Sequence, residues 1–137
     1  MAETTVTRTI AERPDAVWAL LADFGNVSWI PGTDNTVVEG DGPGMRRLIP
    51  AGDGDPIDEQ LHSIDHAARV FVYTVDNSPM PTTEYRSTCT VRAAGDGTEV
   101  EWAVTFEPIG EEQEAAAVIE MIYGLMAEWI ATALADG

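Results

Sequence analysis

Alternating apolar and polar residues fill most of the chain and predict a mainly antiparallel β protein. Seven segments are predicted as strands, most of them with the two-residue period of half-buried strands, and turns that often contain Gly and Asp separate them. They cover about residues 3–11, 33–39, 45–50, 56–64, 69–76, 83–93 and 98–107. After the first strand, Pro14 is typical of the first turn of a helix, and Asn26 can cap a second short helix that Pro31 ends.

The stretch from Glu111 to Ala135 predicts one long helix with a very wide apolar surface. At about 100° per residue its apolar side chains cover roughly 220°, whereas a helix on a flat sheet needs a stripe of about 100°. These side chains are Val118, Ile119, Met121, Ile122, Tyr123, Leu125, Met126, Trp129, Ile130 and Leu134. A curved sheet that grips the helix would cover this arc, and such a shape often encloses a pocket.

The alternation also assigns inner and outer faces to the strands. In the last strand, the apolar side chains of Val100, Trp102, Val104 and Phe106 share one face, and Glu99, Glu101, Thr105 and Glu107 share the other. In the strand before it, the inner face adds a phenol, a hydroxyl and a thiol, from Tyr85, Ser87 and Cys89. The segment 69–76 is apolar on both sides, so either Phe71, Tyr73 and Val75 or Val70 and Val72 face the core.

Length and composition predict a single domain that spans residues 1–137. Hydrophobic residues make up 45% of the 137, which is enough for one core. We expect no membrane span and no signal peptide, because the apolar runs are short and the first residues, Met-Ala-Glu-Thr-Thr, lack the basic and apolar regions of a signal peptide. The single cysteine cannot form an internal disulfide, so we expect a cytoplasmic protein.

The chain is strongly acidic. It has 24 Asp and Glu residues against seven basic ones, all of them arginine, for a formal net charge of −17. Such a surface repels phosphate backbones and anionic lipids, so we expect no nucleic-acid partner and no stable membrane attachment. The absence of lysine excludes Schiff-base chemistry and a P-loop.

The segment from Ala16 to Gly32 resembles the opening helices of the SRPBCC superfamily (START-related, birch-pollen-allergen-like), within the polyketide cyclase/dehydrase and lipid-transport branch. The segments Glu59–Asp65 and Phe71–Val75 fit as well, and the resemblance covers nearly the whole chain. It implies an α+β helix-grip fold, in which a seven-stranded curved antiparallel sheet surrounds a long C-terminal helix and two short helices follow the first strand. Members bind or transfer lipids, polyketides, hormones and other apolar molecules, and only some are enzymes.

Two polar patterns look like metal sites but lack the full ligand spacing. His62 and His66 are four residues apart, yet they fall at a strand end and a turn, without a third strong ligand. Asp53, Asp55 and Asp58 lack the spacing of a calcium loop, which favours a hairpin turn. We therefore expect no metal and no cofactor.

Arg47 and Glu59 are the most chemically informative pair. Each alternates with apolar neighbours, and the resemblance also places an arginine and a glutamate at these positions. On an inner face they need each other or a polar ligand, because an unpaired buried charge is costly. On an outer face they would form an ordinary cross-strand salt bridge. Strand parity puts both on like faces, so we expect them to pair.

The leading hypothesis is a domain that binds or carries a small apolar or amphipathic molecule, such as a lipid, a polyketide or an aromatic metabolite. We expect a mostly apolar pocket of several hundred Å³ between the long helix and the sheet. Its predicted ligand-binding residues are Trp29, Arg47, Glu59, Tyr73, Tyr85, Trp102, Ile122 and Met126.

Two other functions stay open. One is an aromatase/cyclase or dehydratase enzyme that uses Glu59 as acid or base, with Arg47 or Tyr85 holding an oxyanion. The other is a protein-interaction module with a collapsed core. A Glu59 that pairs with Arg47 stays charged and is a poor general acid, which favours binding over catalysis. The ligand and the oligomeric state are not determined by the sequence.

Overall fold

The protein folds into seven strands and two helices across the residues that the computed structural model describes, 1–52 and 54–135. In chain order they are β1 (Ala2–Ile10), α1 (Pro14–Ala22), β2 (Val37–Glu39), β3 (Arg46–Ile49), β4 (Ile57–Asp65), β5 (Val70–Asp76), β6 (Thr82–Ala94), β7 (Gly97–Pro108) and α2 (Glu112–Ala135). Asp53, in the predicted acidic turn before β4, lies outside the described residues.

The strands form one antiparallel sheet in the order β1-β7-β6-β5-β4-β3-β2. Strands β2 to β7 follow one another as a meander, and β1 closes the far edge beside β7. The predicted seven-stranded antiparallel sheet with a long C-terminal helix, the helix-grip fold, is confirmed.

The predicted second short helix is absent, and residues 26–30 form turns. The Asn26 side chain accepts hydrogen bonds from the Ser28 amide and hydroxyl, and the Ile30 amide donates to the Val27 carbonyl. Pro31 follows after only five residues, so a costly helix nucleus cannot be offset by propagation. One short helix, α1, therefore precedes the second strand.

The core lies on the face of the sheet that the alternation assigned. The inward side chains of β7 are all buried, as are Tyr85, Ser87 and Cys89 of β6. In β5, the open choice is settled in favour of Phe71, Tyr73 and Val75, which are buried. A register shift between Leu61 and Ser63 interrupts β4, so Leu61 is buried while Ser63 is exposed.

The sheet covers only part of the wide apolar arc of α2. Ile119, Tyr123 and Ile130 are buried, whereas Met121 is 59% exposed and Leu125 is 38% exposed. The expectation that the sheet would wrap the whole arc was therefore wrong at its far edge. By length and composition α2 is also apolar enough to cross a membrane, against our sequence-based expectation, but the core helix of a soluble protein meets the same test.

Candidate functional site

A cleft of about 280 Å³ lies between α2, the inner face of the sheet and two loops. Loop residues Ile30 and Pro31 border it on one side, and Pro79 and Met80 border it on another. From the sheet its lining includes Arg47, Ile49, Ile57, Glu59, Tyr73, Val75 and Tyr85, and from α2 it includes Ile122, Tyr123, Met126 and Trp129. The wall is mostly apolar, with one ion pair and several phenols.

Six of the eight predicted site residues line this cleft: Arg47, Glu59, Tyr73, Tyr85, Ile122 and Met126. Their role in binding a ligand stays a prediction. Trp29 and Trp102 are not part of the lining, so their placement in the cleft wall was wrong. The Trp29 indole donates to the Asn26 carbonyl over 3.1 Å, which holds it within the turn at 26–30.

Trp102 lies in the core, packed against Tyr123. The two rings are stacked, with centroids 4.6 Å apart and planes 13° apart. Strand alternation identified Trp102 as inward-facing, but it carries no information about which side chain of α2 lies over it. Tyr123 is a cleft residue that the predicted site did not include.

Trp129 also lines the cleft, together with Ile122 and Met126. These positions are spaced i, i+4 and i+7, so they form one line along the helix surface. That spacing was available in the sequence and was a sufficient signal for including Trp129.

Arg47 and Glu59 form an inward-facing ion pair. The register of β3 and β4 places the two residues opposite each other, and Arg47 Nε donates to Glu59 Oε1 over 2.5 Å. A second donor, Arg47 Nη1, binds the Phe24 carbonyl over 2.8 Å. The side chains are only 7% and 16% exposed. The expected pairing is therefore present on the inner face, and each charge neutralises the other.

The strand register places Tyr85 in the same row across the sheet as the Arg47–Glu59 pair. Arg47 faces Glu59, Glu59 faces Val75, and Val75 faces Tyr85 on successive strands. The four side chains thus form a row along the cleft floor. Tyr73 stands opposite both Leu61 and Ser87 in an adjacent row.

Tyr123 is the centre of a buried cluster of four hydroxyl groups. Its phenol oxygen lies 2.7 Å from that of Tyr73 and 2.5 Å from that of Tyr85, and it donates to Ser87 Oγ over 3.1 Å. Burial raises the pKa of all three phenols, and the nearby Glu59 carboxylate raises that of Tyr73 further. The phenols therefore stay protonated near neutral pH and can act as neutral hydrogen-bond donors.

The cysteine and the two histidines lie outside the cleft lining and have other contacts. Cys89 is fully buried, and this burial raises the pKa of its thiol, so it behaves as a core side chain rather than a nucleophile. The His62 ring hydrogen-bonds the Thr74 hydroxyl, and His66 Nδ1 accepts from the Trp18 indole. Within residues 1–52 and 54–135, no three His, Cys, Asp or Glu side chains are grouped so that they could hold a metal ion.

Comparison with known proteins adds family information to this geometry. A family model described as polyketide cyclase/dehydrase and lipid transport matches residues 1–136. No curated protein matches the chain.

Solved structures resemble the whole chain. The chain is 30% identical to the protein XoxI from Bacillus cereus, over 99% of this chain and 97% of that one, with a TM-score of 0.83. It is 28% identical to an uncharacterised protein from Bacillus thuringiensis, over 96% and 98% of the two chains, with a TM-score of 0.81. Ara h 8.0201 shares the fold at 17% identity, over 99% of both chains, with a TM-score of 0.80.

Proposed function

Because the chain belongs to the polyketide cyclase/dehydrase and lipid transport family of the SRPBCC superfamily, we propose that its cleft binds a small apolar or amphipathic molecule. The cleft itself, about 280 Å³ with a mostly apolar wall, is the observation that supports this most directly. In this proposal residues 1–137 act as one cytoplasmic ligand-binding domain, and α2 and the sheet form the two sides of the site.

The size of the cleft favours a compact ligand. Small-molecule sites usually measure about 300–1,000 Å³, so this one lies just below the lower end of the range. An aromatic metabolite or a short polyketide fits such a volume better than a long-chain lipid.

The ion pair favours binding over catalysis at Glu59. The Glu59 carboxylate already accepts a hydrogen bond from Arg47 over 2.5 Å, so the pair occupies the group that a catalytic acid or base would need to keep available for a ligand. The pair serves better to fix the polar end of a ligand at the cleft floor. A protein-interaction module with a collapsed core would not need this open volume.

A substitution that fills the cleft tests the proposal. Met126→Trp places a larger side chain on the cleft wall, and it should weaken binding of N-phenyl-1-naphthylamine, a compact neutral fluorescent probe, by tenfold or more. Met121→Trp is the matched control, because Met121 is on the same helix but is exposed away from the cleft lining.

The control variant should bind the probe as the unmodified protein does. Equal binding by the Met126→Trp variant would place the site elsewhere. Native mass spectrometry of protein purified from its own host should also find a small molecule bound, and its loss from the Met126→Trp variant would locate that molecule in the cleft.

A further inference from the structure

The hydroxyl cluster around Tyr123 has one more proton than it can use internally. Tyr73, Tyr85, Tyr123 and Ser87 carry four O–H groups, while only three hydrogen bonds join them. Each internal bond consumes one donor. One hydroxyl proton is therefore left without an acceptor inside the cluster.

Tyr123 determines which residue holds that proton. Its oxygen has two lone pairs, so it cannot accept from all three neighbours and must donate to one of them. The neighbour that receives this bond keeps its own proton free. In this structure the receiver is Ser87, which is buried and does not line the cleft, so Tyr73 and Tyr85 both donate to Tyr123. When the Tyr123 hydroxyl turns to donate to Tyr73 or Tyr85, and Ser87 donates to Tyr123 instead, the free O–H belongs to a residue that lines the cleft.

The charges around the cleft disfavour an anionic ligand. Arg47 is the cation at the cleft floor, and its charge is already matched by Glu59 over 2.5 Å. A carboxylate ligand would lose its hydration next to the Glu59 carboxylate, in a protein with a net charge of −17. A neutral carbonyl oxygen has no such cost and needs only one donor.

We propose that the cleft selects ligands whose polar group is a neutral hydrogen-bond acceptor, such as a ketone or aldehyde carbonyl, over carboxylates of the same size. When such a ligand binds, the Tyr123 hydroxyl turns from Ser87 towards Tyr73 or Tyr85, and Ser87 donates to Tyr123. The phenol that receives the Tyr123 hydrogen bond then donates its own proton to the ligand oxygen. This inference rests on the proposed function, since it names the class of molecule that the same cleft binds.

Three naphthalenes of similar size test the selection by calorimetry: 2-acetylnaphthalene, 2-naphthoate and 2-isopropylnaphthalene. The unmodified protein should bind the ketone roughly tenfold or more tightly than the carboxylate, because the carboxylate must be desolvated without a free cation. The hydrocarbon has the same apolar body without an acceptor, so its affinity reports the cleft alone.

Two phenylalanine variants separate the cleft-facing hydroxyls from the central one. Y73F/Y85F removes both possible donors to the ligand, and it should lower the ketone affinity relative to the hydrocarbon by about threefold to tenfold. Y123F removes the central hydroxyl and leaves the Tyr73 and Tyr85 protons free. It should therefore preserve or increase the ratio of ketone affinity to hydrocarbon affinity. Thermal unfolding identifies any variant that has lost its fold, and a role confined to stability would move the melting temperature without changing the ratio.

A charge variant tests the other half of the inference. E59Q removes the partner of Arg47 and leaves a cation at the cleft floor, so the preference over 2-naphthoate should shrink by roughly tenfold. D58N is the matched control, because Asp58 pairs with the neighbouring Arg46 outside the cleft lining. This control should leave the preference unchanged.

The outcomes distinguish the two proposals. If the unmodified protein binds 2-naphthoate as tightly as the ketone, or if Y73F/Y85F keeps the ketone-to-hydrocarbon ratio, the inference is wrong while the cleft remains a binding site. If none of the three naphthalenes binds, the proposed function fails at this cleft and the inference fails with it.

Discussion

The guanidinium carbon of Arg47 lies 3.9 Å from the centroid of the Phe24 ring, and the same guanidinium donates to the Phe24 carbonyl. Phe24 is buried just after α1, while Arg47 is on β3. One side chain therefore joins the segment after α1 to strands β3 and β4 of the sheet, through a cation–π contact, a hydrogen bond and the ion pair with Glu59.

Removing this arginine should destabilise the protein strongly. Arg47→Met leaves the largely buried Glu59 carboxylate and the Phe24 carbonyl without their partner, so it should lower the free energy of unfolding by about 3–5 kcal/mol. Urea denaturation measures this loss. Arg46→Met is the control, because Arg46 is exposed in its pair with Asp58 and should cost at most about 1 kcal/mol. Equal losses for both variants would contradict the assigned burial of the pair.

The buried phenols predict a loss of stability in alkali. The folded state holds the pKa of Tyr73, Tyr85 and Tyr123 above the ordinary 10.0. Above pH 10 the unfolded chain releases protons that the folded chain keeps, so unfolding becomes more favourable as the pH rises. Each pH unit above about 10 should cost up to about 1.4 kcal/mol per phenol, with no effect from these groups near neutrality.

Urea denaturation between pH 8 and pH 11 measures this dependence. Tyr85→Phe removes one of the three phenols. The free energy of unfolding of this variant should therefore fall less steeply above pH 10, by up to about 1.4 kcal/mol per pH unit. An unchanged slope would mean that Tyr85 is not protected in the folded state.

Cys89 predicts slow thiol chemistry in the folded protein. It is fully buried, and its burial raises the thiol pKa above 9.0. A reagent therefore cannot reach the sulfur, and little of the reactive thiolate form is present. A colorimetric disulfide reagent should react completely in urea and only at the rate of unfolding in buffer. Fast reaction in buffer would show that the inner face of β6 opens without global unfolding.

We expect that a side chain at position 97 would clash with the backbone of β1. A Cβ atom at this position would lie 2.6 Å from the Ile10 carbonyl oxygen, which is backbone and cannot turn away. Gly97→Ala should therefore lower the stability by about 1–3 kcal/mol. Gly54→Ala is the control, since nothing lies within 4 Å of its added atom. Thermal unfolding of the two variants compares them directly.

The sequence predicted the facing of side chains well, because the two-residue period of a strand is a local property. Arg47 and Glu59 were expected on like faces of nearby strands, and the register of β3 and β4 brings them together. The same period identified the inward row of β7, including Trp102.

The contacts between α2 and the sheet were not predictable from this period. Trp102 was predicted to face inward and Tyr123 to lie within the wide apolar arc of α2, but their stacking depends on where α2 crosses the sheet. The hydroxyl cluster has the same origin, since Tyr123 on α2 meets Tyr73 and Tyr85 from two different strands. Contacts of this kind join distant segments and leave no periodic trace in any one of them.

The position of β1 at the edge of the sheet has a consequence for how the chain folds as it is made. Its partner is β7, and the paired residues are 104 positions apart at Ala2 and Phe106 and 88 positions apart at Ile10 and Thr98. At about 5–20 residues per second, a ribosome needs several seconds to synthesise that interval. Val6 and Ile10, which are buried in the finished protein, have no strand to pair beside until then. Strands β2 to β7 can pair with one another in the order in which they leave the ribosome. Strand β1 can join the sheet only after β7 has been synthesised, because β7 is its pairing partner.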